Sequence, residues 1–369
     1  MIRCDSVSPP TVRRAHTSGC GCGGRREFLG GAAAAAYAAA ACAAVSIGGR
    51  AARAQSVVAG AGRIDVHHHL SSPQFIAAIK ARNTGQIPLM NWTPEQSLAD
   101  MDAGGVATSI LSISEPGVFF GDNGAARALA RETNEYGAQL IARHPGRFGM
   151  FATLPLPDND GALREIGYAL DVLKLDGVCM MTDYQGKFLG DPVFWPVMEE
   201  LNRRKAVVFT HPFRNACCIN LVPDVFEPMI ELGTDTTRTI ASLVFSGTAA
   251  KFPDIKFIFS HGGGTAPYLL QRFTYYFDLR KDLQARLPRG PQYYLGEFYY
   301  DVANASTLAP LASLTKVVRP TQIVFGTDFP FLTAKATAAD LRQTGLFTSA
   351  DLGLIDRGNA ARLMPRYAG

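Results

Sequence analysis

Arg63-Ile64-Asp65-Val66-His67-His68-His69-Leu70 is the stretch on which the fold is read. An apolar start runs into three consecutive histidines. Along a strand, side chains alternate faces, so His67 and His69 share one face and His68 takes the other. If the shared face looks into a closed sheet, two imidazoles converge on one point. Neutral imidazole suits zinc and other borderline divalent metals. Asp65 reads either as a plain strand residue or as one supporting the histidines from behind.

Working outward, seven further short runs rich in β-branched and aromatic residues follow, at 107–114, 147–154, 177–182, 206–211, 255–261, 297–302 and 322–328. Helix-periodic stretches separate them, at 125–142, 160–173, 192–204, 236–250, 266–287, 307–316 and 336–345. Thr93-Pro94-Glu95-Gln96 carries an N-cap, a first-turn proline and a capping-box glutamine. Eight strand–helix alternations in about 290 residues predict an α/β protein, a (β/α)8 TIM-type barrel. Residues 71–92 and 212–235 read as long loops, each as a lid or insertion.

A barrel brings the carboxyl ends of its strands to one mouth. Of the six histidines after residue 54, five stand at or beyond such an end: His67, His68, His69, His211 and His261. His144, before Pro145, reads as a surface or capping residue. His211, in Val207-Val208-Phe209-Thr210-His211, supplies a third nitrogen for a metal. Asp328, in Val324-Phe325-Gly326-Thr327-Asp328, ends the eighth strand, which lies beside the first in a closed barrel and supplies an oxygen. The predicted site is therefore one divalent metal held by His67, His69, His211 and Asp328, with water or substrate in an open position. His261 precedes Gly262-Gly263-Gly264, which lets backbone come close to a ligand. Its imidazole reads as a general acid/base beside the metal. His68 stays outside the lumen by strand parity.

Composition fits one large core: 47% of residues are hydrophobic and 18% charged. The net charge of +4 is concentrated at the start. Residues 1–54 hold seven basic and two acidic residues, and removing those from the chain's 36 and 32 leaves 29 and 30. Nothing in that balance points to nucleic acid. The same 54 residues have three parts: a basic stretch ending at Arg25-Arg26-Glu27-Phe28-Leu29, an Ala-rich run, and Ala52-Arg53-Ala54, a small-x-small cleavage pattern. The paired arginines resemble a twin-arginine export signal. The expectation is an exported, periplasmic protein cleaved near Ala54, with no stable membrane insertion afterwards. Cys4, Cys20, Cys22 and Cys42 would leave with the leader. Cys179, Cys217 and Cys218 are too few for a disulfide scaffold.

Asp65-x-His67-x-His69, His211-Pro212, Ser260-His261-Gly262-Gly263-Gly264, Gly326-Thr327-Asp328-Phe329-Pro330 and the tail Gly358-Asn359-Ala360-Ala361-Arg362-Leu363 together resemble the amidohydrolase superfamily. The branch is the one containing aminocarboxymuconate semialdehyde decarboxylase. The resemblance spans roughly 63–365. Within it, 63–211 is similar to 6-methylsalicylate decarboxylases, through Thr108-Ser109-Ile110-Leu111-Ser112 and Pro145-Gly146-Arg147-Phe148. It implies a mononuclear site with the four ligands above and His261 as acid/base. Binuclear relatives carry a bridging lysine on the fourth strand, and Gly177-Val178-Cys179-Met180-Met181-Thr182 has none. It also implies a homodimer in which Arg272, eleven residues after His261, reaches the partner subunit's site. The arginine that the aminocarboxymuconate enzyme uses after strand one has no equivalent, since that region offers Lys80 and Arg82 and then Leu89-Met90-Asn91-Trp92. This favours a more apolar aromatic acid over a dicarboxylic one, with Trp92, Phe119, Phe120, Phe213 and Phe331 as candidate pocket walls.

The implied activity is non-oxidative decarboxylation of an aromatic or unsaturated carboxylic acid, with Asp328 or His261 protonating the carbon that loses the carboxylate. A hydrolase such as a lactonase would use the same residues. Three nitrogens and one oxygen fit zinc, while a chelated phenolate substrate would also accept manganese.

Overall fold

The computed structural model describes residues 62–368; the expected leader, 1–54, lies outside the described residues. Eight strands form the sheet: β1 Arg63–His69, β2 Val106–Ser112, β3 Phe148–Thr153, β4 Gly177–Met181, β5 Val207–His211, β6 Lys256–Phe259, β7 Tyr299–Asp301 and β8 Ile323–Val324. They follow one another in chain order, and every neighbouring pair is parallel. The segment after β8 returns to β1: the Val66 N–H donates to the Phe325 carbonyl at 2.9 Å, and the His69 N–H to that of Phe329 at 2.8 Å. The result is a nearly closed parallel barrel of the (β/α)8 kind, with helices outside it.

Alternation along the strands builds two packed layers. On β5, Val207 and Phe209 join the interior cluster while Val208 joins the layer under the helices. On β4, Cys179 and Met181 point in, and Val178 and Met180 pack outward. Phe151 and Phe209 stack inside the barrel with ring centroids 5.6 Å apart. Each such buried ring contributes on the order of 1.5–3 kcal/mol. They also form a solid floor, so polar chemistry is confined to the strand ends above.

Local signals account for most element boundaries. Thr93 caps the helix Pro94–Gly104 through the expected capping box with Gln96. The helix Asn123–Arg143 starts at the Asp122 cap and extends a residue or two past the periodic run on each side. The stretch 71–92 is not one open loop. Ser72 caps a helix Pro73–Ala81, and a single turn Ile87–Met90 follows. The cap-plus-proline start was readable at Ser72-Pro73, but the short length hid it. The segment after β5 is a loop with only short 3₁₀ turns until the helix Glu231–Phe245 begins. Among the described residues no helix is long and apolar enough to cross a membrane.

Candidate metal centre and active site

The carboxyl ends of β1 and β5 and the loop after β8 meet at one point. There, ligand atoms of His67, His69, His211 and Asp328, all buried, lie within 4.8 Å of one another. His67 Nε2 and His69 Nε2 are 3.2 Å apart. Asp328 Oδ1 is 3.2 Å from the first and 2.9 Å from the second. Ligands ~2.1 Å from a tetrahedral ion stand ~3.4 Å from each other, so this spacing is that of a coordination shell. His211 Nδ1 is buried with no hydrogen-bond partner among the described residues, so no protein group competes for this imidazole through that nitrogen. The donor set, three imidazoles and one carboxylate, fits a single divalent ion. These four make a His/His/His/Asp metal-binding site.

The tautomers are set from behind. The Ser112 carbonyl, 3.3 Å from His69 Nδ1, can only accept, so Nδ1 carries the proton and Nε2 faces the centre. His67 Nδ1 donates to Asp301 Oδ2 at 2.7 Å, which likewise leaves its Nε2 lone pair for a metal. Asp301 Oδ1 accepts the backbone N–H groups of His261, at 2.8 Å, and of Ala303, at 3.1 Å. Asn304 Nδ2 donates to Asp328 Oδ2 at 2.7 Å. Asp301 and Asn304 were not singled out in the sequence. Asp301 ends β7 and is the next-to-last residue of the seventh predicted run, so it stood close to the strand-end criterion that picked out Asp328. Asn304 lies beyond the strand and offered no periodic signal.

Electrostatics follow from burial and these pairs. Burial opposes a charge on His67, but the Asp301 and Asp328 carboxylates outweigh it and raise its pKa to about 10 without a metal. Burial, with the charges of His69 and His67 added, drives His211 well below its ordinary value. Burial also lowers His69, against the opposing effect of its hydrogen bond to Asp328. For Asp328, burial pushes upward, yet His67 and hydrogen bonds from His261, His67 and His69 hold it well below the ordinary carboxylate range.

His261 stands 3.3 Å from Asp328 Oδ2 through Nε2 and lines the adjoining cavity. It lies outside the donor quartet. Both His261, at φ 56°, and Asp328, at φ 66°, have left-handed backbone, uncommon for such residues and typical of functional turns. The glycines after His261 serve mainly to bring protein segments together. A Cβ on Gly264 would lie 2.0 Å from the Gly233 carbonyl oxygen, and one on Gly263 would lie 2.6 Å from the Tyr300 ring. Gly264 also borders the cavity, as the expected ligand approach requires.

His68 points away from the centre. It bonds Asp65 at 3.0 Å and Ser97 at 2.9 Å and stacks on Phe329. Asp65 supports the site by accepting the backbone N–H groups of His67, at 3.1 Å, and Thr327, at 3.0 Å.

The cavity over the centre has a volume of about 480 Å³, within the range of small-molecule sites. Phe331 forms part of its wall, as expected, together with Phe226, Met229 and Leu232. Other expected wall residues lie elsewhere. Trp92 is buried between Ser97, which accepts its indole N–H at 2.9 Å, and the edge of Tyr136, so it sits between the helices Pro94–Gly104 and Asn123–Arg143. Phe213 packs on the interior cluster. Phe120 lies under the Arg82 guanidinium, and Phe119 borders a separate surface depression. Of these, only Trp92 is fully packed in the core; the other three rings are partly buried outside the cavity wall. Arg272, on the helix Ala266–Leu279, lies 5.7 Å from the Tyr276 ring, beside Leu269 and Phe273, and is not among the residues lining its own chain's cavity.

A parallel α/β barrel whose strand ends gather three histidines and an aspartate defines a metal-dependent enzyme class. The chain belongs to the Amidohydrolase family, which it matches over residues 64–366. It is 37% identical over 330 residues to the decarboxylase yanB of Aspergillus niger, covering 83% of this chain and 88% of that one. It is also 37% identical over 282 residues to 6-methylsalicylic acid decarboxylase acuB of Aspergillus aculeatus, covering 73% and 84%. Among solved structures, 2,6-dihydroxybenzoate decarboxylase in complex with 2,6-dihydroxybenzoate superposes with a TM-score of 0.73 and 25% identity, covering 82% of this chain and 99% of that one.

Proposed function

We propose that this chain is a metal-dependent, non-oxidative decarboxylase of an aromatic carboxylic acid of the 2-hydroxybenzoate type. The observation that carries the reading is one cavity bordered by His211 and Asp328 of the metal quartet, by His261 and by an apolar wall. Relatives named as decarboxylases support it. A divalent ion, when bound, supplies an electrophilic centre for a carboxylate with its neighbouring hydroxyl. The wall of Phe331, Phe226, Met229 and Leu232 would hold the ring and exclude water.

His261 delivers a proton to the ring carbon bearing the carboxylate. The bond from that carbon to the carboxylate carbon then breaks, and its electron pair returns to the ring. Carbon dioxide leaves, and the ring keeps the proton as C–H. Asp328 turns Oδ1 to the quartet as a ligand atom, beside the His67 and His69 Nε2 atoms, and its Oδ2 meets Asn304 and His261. That engagement favours His261 as donor and Asp328 as ligand and orienting partner. Zinc is the ion that three nitrogens and one oxygen suit best, with manganese as the other candidate.

The test is to incubate the purified, metal-loaded protein with 6-methylsalicylate and related 2-hydroxybenzoates in deuterated water. Carbon dioxide release, with one deuterium on the carbon that lost it, is the expected result. Lactone hydrolysis with no carbon dioxide from any acid would replace this reading with a hydrolase; metal analysis of the same sample settles the ion.

Two further expectations stand as proposals. The arginine pair and cleavage pattern in 1–54 support twin-arginine export, and a periplasmic product whose mass begins after Ala54 is expected. The resemblance supports a homodimer in which Arg272 serves the partner's site. Light scattering at two protomer masses, with Arg272→Ala raising KM, is the matching result.

A further inference from the structure

Two sets of polar residues border the cavity. His261 and Asn304 approach Asp328 of the quartet, at 3.3 and 2.7 Å, while Gln86, Ser114 and Glu115 make no hydrogen bond to the quartet among the described residues. Glu115 is 6% exposed, and its carboxylate is held from several sides. Arg214 donates to Oε1 through Nε at 2.8 Å and through its backbone N–H at 3.2 Å. Gln86 Nε2 donates to Oε2 at 3.3 Å. Oε1 is thus committed, while Oε2 has one long bond and spare acceptor capacity. Arg214 does not line the cavity, so the compensating charge stands behind and the carboxylate in front. Next to it, the buried Ser114 Oγ has no partner among the described residues. Among the described residues of this chain, none bordering the cavity is a lysine or arginine.

Such a set is built to accept a hydrogen bond and to repel an anion. Resting on the decarboxylase reading for its choice of ligands, we propose that Glu115 is a specificity-determining residue. It accepts a hydrogen bond from a ring hydroxyl other than the one beside the metal-held carboxylate, and it rejects rings that carry a second carboxylate. A site arranged to bond a substrate hydroxyl discriminates strongly against the analogue lacking it, because its own polar group is left unpaired.

The experiment measures affinities of the metal-loaded full chain for 2-hydroxybenzoate, the isomeric dihydroxybenzoates and 4-hydroxyisophthalate by calorimetry, and initial rates for the same compounds. In the wild type at least one dihydroxybenzoate binds about tenfold to a hundredfold tighter than 2-hydroxybenzoate, the range of a hydrogen bond to a charged group. The dicarboxylate binds at least about tenfold more weakly, by the same charge argument. Glu115→Gln brings both ratios to within about threefold, since shape is kept and charge removed. Arg214→Met moves the second ratio the other way: with Glu115 left uncompensated, the dicarboxylate is rejected further. That opposite sign also decides the matter if Glu115→Gln fails to fold. No hydroxyl preference in the wild type, either ratio surviving Glu115→Gln, or unchanged rejection in Arg214→Met overturns the proposal. If no compound releases carbon dioxide, the decarboxylase reading falls, while the binding ratios still judge Glu115.

Discussion

Asp301 joins the two working halves of the site: its Oδ2 takes the His67 Nδ1 proton at 2.7 Å while its Oδ1 takes the His261 backbone N–H at 2.8 Å. One carboxylate, itself fully buried at the end of β7, therefore aims a metal ligand and pins the segment carrying the acid/base. Removing its charge should disturb both together, which gives the arrangement a specific signature.

Asp301→Asn keeps the shape but lowers the basicity that Asp301 lends to His67. Metal affinity is expected to fall by ~10–100-fold, the usual range for such supporting partners. Competition against a chelator measures it. Unchanged affinity would mean that His67 is oriented by packing alone.

His68 and His69 are adjacent and should behave oppositely. His69→Ala removes a donor from the quartet and is expected to abolish tight metal binding. His68→Ala breaks the link between Asp65 and Ser97 and loses the stacking on Phe329. It should lower stability by ~1–3 kcal/mol, the range for a disrupted buried hydrogen bond, with the metal retained. Thermal unfolding and metal content of the two variants separate the cases. Metal loss in His68→Ala at intact fold would place His68 in the site.

The barrel and its quartet were legible because strand period and strand-end position are local properties. Alternation alone assigns His67 and His69 inward and His68 outward, and the eight runs and seven of the helices stand close to where periodicity puts them. What was missed depends on long-range pairing. Glu115 acquires meaning only through Arg214, 99 residues away, and Asp301 only through His67, 234 residues away. Trp92 and Phe213 lie off the cavity wall for the converse reason. Trp92 and Phe213 are apolar enough to line a cavity, but equally suited to the core, and packing chose the core.

The raised His67 pKa gives a pH dependence of known sign. Without a metal, His67 holds a proton up to about pH 10, while burial keeps His69 and His211 neutral. Metal binding must displace that one proton. The logarithm of apparent affinity should then rise by about one per pH unit between roughly pH 7 and 9, from the linkage of one proton to one ion. Calorimetry in buffers of different ionisation enthalpy counts it directly. The metal-free protein carries the matching stability term. Because the folded pKa lies above the ordinary 6.5, that stability is fully present below 6.5 and is lost as pH rises toward 10. Release of no proton, or of three, would remove the ion-paired His67 from the picture.

His261→Asn isolates the proton donor from the metal. Asparagine tolerates left-handed backbone better than most residues, so the φ of 56° can be kept and the Asp301 contact to the backbone N–H with it. The side chain that approaches Asp328 Oδ2 changes from an acid/base into an amide that cannot donate a proton to carbon. Turnover is expected to fall by ~10²–10⁴-fold, the contribution typical of a positioned general acid, with metal content and substrate affinity close to wild type. Asp328→Asn should instead lose metal and turnover together, because its Oδ1 lies within 3.2 Å of both His67 and His69 nitrogens. Rates normalised to bound metal distinguish the two. If His261→Asn retains wild-type turnover per metal ion, the proton comes from Asp328 or from solvent, and His261 only orients the aspartate.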